Sequence, residues 1–120
     1  PSGLLRIEAY AFKECKSLSD IKLPSGLLRI EAYAFKECKA LRVVHIPLGT
    51  QFIGRESFNG THLAEIYIPP TVTKIEEGYT KPIFEDDVFG DRSLTIYCAA
   101  GSTAMKYARK NNIKCAKAQF

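Results

Sequence analysis

The sequence lacks tryptophan, has a single methionine and two histidines, and contains no apolar run near the ~20 residues that a transmembrane helix needs. It also contains no G-x-S-x-G, no H-E-x-x-H and no glycine-rich phosphate loop. General acid–base catalysis would need a histidine with a positioned partner in a pocket, whereas His45, one of the two histidines, is predicted to point outward from a strand in an exposed mixed row. We therefore expect no enzyme activity, no cofactor and no membrane span in this sequence.

Charge of one sign is missing from long stretches. Residues 92–120 contain six Lys/Arg and no acid, whereas residues 76–91 contain six acids and one lysine. Nucleic-acid binding would require basic residues and aromatics on one shared face. The net charge of +4 is modest, so we expect no nucleic-acid partner. The apolar fraction of 46% is sufficient for the core of one domain.

A repeat dominates the chain. The letters PSGLLRIEAYAFKECK occupy residues 1–16 and again residues 24–39, which gives a period of 23 residues. The apolar pattern Leu18-x-x-Ile21-x-Leu23 recurs less strictly as Leu41-x-x-Val44-x-Ile46. Periods of roughly 20–50 residues are typical of solenoids, in which each repeat forms one coil.

Each coil is predicted to contain a strand, a Pro-Ser-Gly turn, a second short extended segment and a compact turn. The alternating apolar residues predict the strand, and the proline after it cannot continue a ladder. The repeats occupy residues 1–98, in coils 1–23, 24–46, 47–68 and 69–98. Their parallel strands, at 18–23, 41–46, 63–68 and 94–98, are predicted to form one face. Phe35 is predicted to lie between Phe12 and Phe58.

The fourth coil departs from the period because of an insertion near residues 77–85. We predict that this insertion is the most mobile internal segment, since solenoids accept insertions in surface turns. It leaves two candidates for the phenylalanine core position, and the pattern favours Phe89 over Phe84.

Residues 99–120 do not follow the repeat and are predicted to be a C-terminal cap. Residues 101–112 have the signals of a helix, with Ser102 or Thr103 as N-cap and basic residues in the last turn. Ala104, Tyr107 and Ala108 recur at helical spacing and should face the solenoid. Residues 113–116 alternate as a short final strand. Such a cap closes an otherwise exposed end of the core.

The skeleton Leu-x-x-Ile-x-Leu-Pro-x-x-x-x-x-Ile-x-x-x-Ala-Phe-x-x-Cys, from Leu18 to Cys38, resembles the BspA-like leucine-rich repeat. The ending from Leu94 to Ile113 is similar to that family's cap. The resemblance implies a right-handed leucine-rich-repeat solenoid, mainly β, with about four coils and a cap containing one α-helix. It also implies an extracellular or cell-surface protein, bacterial or in some cases from a protist, that serves in adhesion or protein binding without shared catalytic residues.

The outward positions of the predicted strands are the candidate binding face for a protein or a glycan. They change from coil to coil while the interior repeats, which favours binding. The near-identical first two coils favour the alternative, a structural spacer with no ligand of its own. Other outward positions are Ser19, Val43, Ala64 and Thr95. The candidate ligand-binding residues are Asp20, Lys22, Arg42, His45, Glu65, Tyr67 and Tyr97.

Two further groups of residues leave alternatives open. Cys15 and Cys38 occupy equivalent positions, where side chains pointing the same way favour buried thiols over a disulfide, while a bridge between Cys98 and Cys115 stays possible. No cysteine spacing fits the four converging ligands of zinc. The acidic residues 85–87 and Asp91 match no calcium-loop spacing, so a solvated insertion is favoured over a calcium site. The sequon at residues 59–61 is read as a turn unless the protein passes through a eukaryotic secretory pathway.

The first coil has core-type residues, among them Leu5, Ile7 and Phe12, on an edge with no repeat stacked before it. Exposed strand edges and apolar patches tend to recruit another chain. We therefore expect self-association through the uncapped N-terminal coil, and a parent protein that continues upstream with more repeats.

Overall fold

The structure, a computed structural model, describes residues 5–76 and 94–120. The insertion near 77–85, both candidate phenylalanines and the acidic cluster lie outside the described residues. Within these ranges the chain forms eight short strands and one helix. In order they are β1 Leu5–Ile7, β2 Leu27–Ile30, β3 Val43–His45, β4 Phe52–Ile53, β5 Glu65–Ile68, β6 Lys74–Ile75, β7 Thr95–Cys98, α1 Thr103–Lys110 and β8 Lys114–Lys117.

The strands form two parallel sheets, each built from successive coils. Sheet one has the order β1-β2-β4-β6, and sheet two has the order β3-β5-β7-β8. Sheet one is formed by the second extended segment of each coil, for which the sequence predicted extension but no partner. The predicted leucine-rich-repeat architecture, a mainly-β parallel solenoid of about four turns with one helix near its C-terminal end, is confirmed.

The prediction of a full strand at residues 18–23 is wrong. In the described part of the chain, this segment joins sheet two only through an isolated parallel bridge between Asp20 and Val43. The predicted strands of the later coils form, although they are shorter than expected. A strand with a neighbour on one side alone lacks half of the ladder hydrogen bonds that hold a central strand such as β5. The apolar alternation therefore predicts the direction of side chains better than it predicts pairing.

Equivalent side chains of neighbouring coils stack through the interior. Phe35 lies between Phe12 and Phe58, as predicted, with ring centroids 5.1 Å and 5.2 Å away and planes within 8° of parallel. The backbone follows the same stacking, since Phe12 N donates to Ala34 O at 2.7 Å and Phe35 N donates to Ser57 O at 2.7 Å. The coils are thus joined both by packing and by hydrogen bonds at their compact turns.

The C-terminal cap covers the last coil. Helix α1 begins after Ser102, whose hydroxyl accepts a hydrogen bond from Met105 N at 3.2 Å. The predicted inward residues Ala104, Tyr107 and Ala108 are buried. Strand β8 then pairs with β7 as the last strand of sheet two. The predicted helix and final strand are both present, the strand one residue further along the chain than predicted.

Candidate binding face

The outward side of sheet two, called here the sheet-two face, carries side chains in rows that cross the coils. Val44, Ile66 and Ile96 lie opposite one another and are fully buried, so the residues on either side of each point outward. One row follows the register of Val43, and its members are Asp20, Val43, Glu65, Thr95 and Lys114. The other follows the register of His45, and its members are His45, Tyr67, Tyr97 and Ala116.

Three rings of the second row stack face to face, and we call them the aromatic row. The His45 and Tyr67 centroids are 4.3 Å apart with planes 5° from parallel. The Tyr67 and Tyr97 centroids are 4.5 Å apart with planes 11° from parallel. His45 is exposed and both tyrosines are half-buried. Because the middle ring is covered on both faces, the row presents ring edges and tyrosine hydroxyl groups to solvent.

A hydrogen bond ties the aromatic row to the neighbouring row. The Tyr67 hydroxyl donates to Glu65 Oε1 at 3.1 Å. Partial desolvation and this bond to a carboxylate raise the pKa of Tyr67 above its ordinary value. The phenol therefore stays protonated, and the Glu65 carboxylate already has a donor on this face.

Two of the outward positions differ from the sequence-based expectation. Thr95 was expected to be exposed, but it is buried, because its register partners Glu65 and Lys114 carry longer side chains on both sides. Arg42 is exposed but lies outside both rows, and its guanidinium donates to the backbone carbonyls of Lys39 at 2.9 Å and His62 at 3.4 Å. The structure thus brings five of the seven candidate residues together in two adjacent rows, leaves Lys22 outside the strand pairing of the described residues, and gives Arg42 a role at the start of the strand.

A groove opens at the end of the aromatic row, between the first and second coils. It has a volume of about 600 Å³ and is lined by residues 20–23 on one side and by Val43, His45, Ile46 and Pro47 on the other. The groove lies on the sheet-two side, where the described residues join the first coil to the second through the bridge between Asp20 and Val43. Its position beside Lys22 and His45 could not be read from the period, which predicts full pairing there.

Sheet one carries a different outward surface that the sequence analysis did not single out. Arg6, Arg29, Phe52 and Lys74 share one register row. The Arg29 guanidinium lies 4.0 Å from the centre of the Phe52 ring, and its Nε donates to Glu31 Oε2 at 2.8 Å. The repeat places Arg6 and Arg29 at equivalent positions, and this equivalence is the sequence signal from which the row could have been found. Arg29 is therefore held by Glu31 and Phe52 within the fold, as expected of a surface ion-pair network.

A second stacked pair lies on the compact turns. The Tyr10 and Tyr33 centroids are 5.0 Å apart, with planes 5° from parallel. Lys13 lies 5.3 Å from the Tyr10 centroid, and Lys36 lies 5.5 Å from the Tyr33 centroid. This arrangement is the same in both coils because the letters are identical.

All four cysteines lie in the described ranges and carry free thiols, so the possible Cys98–Cys115 bridge is not formed. Cys38 is buried and its Sγ donates to Phe12 O at 2.8 Å, and burial raises the pKa of this thiol. Burial also raises the pKa of the Cys98 thiol. In residues 5–76 and 94–120, no group of three or more His, Cys, Asp or Glu is placed to hold a metal ion.

Comparison with known proteins places the repeat in a family. Residues 1–81 match the family described as BspA type Leucine rich repeat region (6 copies). No curated protein matches. A leucine-rich repeat protein from Bacteroides ovatus, known from a crystal structure, is similar at a TM-score of 0.42 and 20% sequence identity, over 78% of this chain and 34% of that one. This chain thus spans about a third of the length of that protein. In the described ranges, no helix has the length and apolar character to cross a membrane. The chain belongs to the BspA-type leucine-rich-repeat family.

Proposed function

We propose that this chain is a protein-binding module of a cell-surface or secreted bacterial protein, and that it contacts its partner through the sheet-two face. The observation that carries this proposal is the aromatic row. His45, Tyr67 and Tyr97 form a pre-ordered strip of ring edges and hydroxyl groups in the middle of the sheet. Aromatic side chains give large contact areas at low entropic cost, which is why interfaces are enriched in them. An adhesive role follows if the partner lies on another surface.

The stacking favours a protein over a glycan as the partner. A sugar ring packs its C–H groups against an open aromatic face. Both faces of Tyr67 are covered by its neighbours, and only the outer faces of His45 and Tyr97 remain available. Edges and hydroxyl groups suit the mixed apolar and polar contacts of a protein interface.

A structural spacer is the second candidate. It is supported by the identical turns of the first two coils, where Tyr10 and Tyr33 stack with the same lysine arrangement. Their backbones are bonded by repeated contacts such as Glu14 N to Lys36 O at 2.8 Å. Such coils add length and stiffness without a tailored pocket.

Parallel binding assays distinguish these functions. The 120-residue chain is applied to an array of purified extracellular and cell-surface proteins and to a glycan array. The proposal predicts binding to at least one protein, lost in the double variant Tyr67→Ala/Tyr97→Ala and retained in Lys74→Glu, an exposed position on sheet one. Binding to the glycan array alone would favour a glycan ligand, and binding to neither array would favour the spacer.

We also infer that the isolated chain associates with itself through its first coil. Ile7, Phe12 and Leu18 are half-buried, whereas the equivalent Ile30, Phe35 and Leu41 of the second coil are fully buried. The uncovered apolar side chains of the first coil support a contact with a second copy.

A further inference from the structure

The groove between the first two coils continues the aromatic row of the sheet-two face. Successive rings of this row are 4.3 Å and 4.5 Å apart, close to the spacing of neighbouring strands. One face of His45 is covered by Tyr67, and His45 also lines the groove. Across the groove from His45 lies the segment that contains Lys22, an exposed side chain without a ring. The groove therefore lies where a further ring of the row would stand.

The lining of the groove suits an aromatic side chain. Ile21, Leu23, Ile46 and Pro47 supply apolar contact beside the His45 ring. The volume of about 600 Å³ exceeds what one aromatic side chain needs, so part of the flanking backbone of a partner could also enter. Stacking on His45 would add to burial, because offset parallel rings are favourable at these distances.

The charged side chains around the groove indicate which type of residue would lie next to that aromatic residue in the partner. The row from His45 to Ala116 contains no acid, whereas Asp20 and Glu65 both belong to the other row. The Glu65 carboxylate accepts a hydrogen bond from the Tyr67 hydroxyl. Asp20 and Lys22 line the same side of the groove, but Asp20 lies at the end that is bridged to Val43, and Lys22 follows two residues further along the chain. An acidic residue beside a ring that stacks on His45 would thus meet Lys22, away from the Asp20 end of the groove.

We propose that the groove binds a partner protein segment in which an aromatic residue lies next to an acidic one. The aromatic ring stacks on His45 as a fourth member of the row, and the acid pairs with Lys22. This inference rests on the proposed function and adds the chemistry of the partner and the position of its anchor.

Selection of random 12-residue peptides displayed on phage, with the whole 120-residue chain as bait, tests this inference. Enriched peptides are expected to share an aromatic residue within two positions of Asp or Glu. Their affinity should fall at least tenfold in His45→Ala and in Lys22→Glu, and less than twofold in Lys74→Glu. Both positions in the groove are exposed, and circular dichroism with thermal melting verifies that the variants fold. Exchange of the peptide's acid for lysine should restore binding to Lys22→Glu.

The remaining outcomes distinguish the inference about the groove from the proposal that the sheet-two face binds a protein. Peptides that bind wild type and lose affinity in Tyr97→Ala, but not in the groove variants, would overturn the groove and leave the proposed function standing. Enriched peptides without the aromatic–acidic pair would likewise overturn it. Failure to select any peptide that responds to a sheet-two variant would count against both proposals.

Discussion

The rings of Phe35 and Phe58 stack with centroids 5.2 Å apart and planes 8° from parallel, although one belongs to the second coil and the other to the third. The third coil shares few letters with the second, yet it keeps this ring and the buried Ile53 opposite Ile30. The interior of each coil is therefore tied to the next by a small set of positions. A destabilising substitution at one of these positions should affect both neighbouring coils, because each coil contacts only the coils adjacent to it.

Replacement of Phe35 by alanine should remove about 3–5 kcal/mol from the free energy of unfolding, because it leaves a cavity in a packed core. Phe35 is fully buried between two rings. Phe12→Ala is the matched control. Since Phe12 is half-buried and stacks on one ring, its loss should be less than half as large. Urea denaturation measures both, and equal losses would contradict the assignment of Phe35 to the centre of the stack.

Gly54→Ala should destabilise the chain by about 2 kcal/mol or more, as overpacking does when backbone must move. A Cβ at this position would lie 2.7 Å from the Glu31 carbonyl carbon and 2.8 Å from Ala32 Cα. Gly26→Ala is the control, since a Cβ there meets only the flexible Leu5 side chain at 3.2 Å. Thermal melting should show a clear loss for Gly54→Ala and a small change for Gly26→Ala. The reverse order would show that the coils do not approach at Gly54.

Ser57→Ala should stabilise the protein by about 1 kcal/mol, because a buried hydroxyl without a partner keeps its desolvation cost. Ser57 Oγ is buried with no hydrogen-bond partner, and alanine occupies the equivalent position 34. Thr50 gives the opposite case, since its buried hydroxyl donates to Leu27 O at 2.8 Å. Thr50→Val should destabilise by a similar amount. A loss of stability in Ser57→Ala, measured by urea denaturation, would contradict the prediction.

Stability should fall as pH rises above about 8.5, the ordinary pKa of a cysteine thiol. The folded state raises the pKa of Cys38 and Cys98, so both thiols keep their protons in the folded chain after they ionise in the unfolded chain. The stabilisation is present in full below the unfolded pKa and is lost as pH rises toward the folded one. Each thiol contributes a slope of at most about 1.4 kcal/mol per pH unit.

Urea denaturation between pH 8 and 9.5 tests this dependence. The double variant Cys38→Ala/Cys98→Ala has a lower stability at pH 7, but its free energy of unfolding should fall less steeply with pH than that of wild type. Ser57→Ala, which leaves all four thiols in place, serves as the control. Parallel slopes for wild type and the double variant would refute the role of the two thiols.

The period predicted the features that recur in every coil. Phe12, Phe35 and Phe58 stack as expected because the offset of 23 residues places equivalent side chains one strand spacing apart. The spacing of these three phenylalanines in the sequence is enough to predict the stack. Outside the repeat, the helix-start signals identified Ser102 as one of two possible N-caps, and helical spacing placed Tyr107 against the solenoid.

Features that depend on whether two segments pair, or on how closely two coils approach each other, were not predictable. The groove exists because residues 21–23 do not complete the ladder that Asp20 begins, and nothing in the alternation distinguishes them from the later strands. The requirement for glycine at position 54 is equally hidden, since Glu31 occupies the equivalent position.

The last prediction concerns the uncovered side of the first coil. We expect the 120-residue chain to sediment as a dimer at concentrations of tens of micromolar, because Ile7, Phe12 and Leu18 expose apolar surface that the second coil buries at Ile30 and its equivalents. A polar capping segment grafted before residue 1 should convert it to a monomer, whereas the same segment grafted after Phe120 should not. The graft after Phe120 adds the same charge without covering the first coil, so it shows whether charge alone prevents association. If the ungrafted chain stays monomeric at ten times this concentration, the half-buried side chains of the first coil do not drive association.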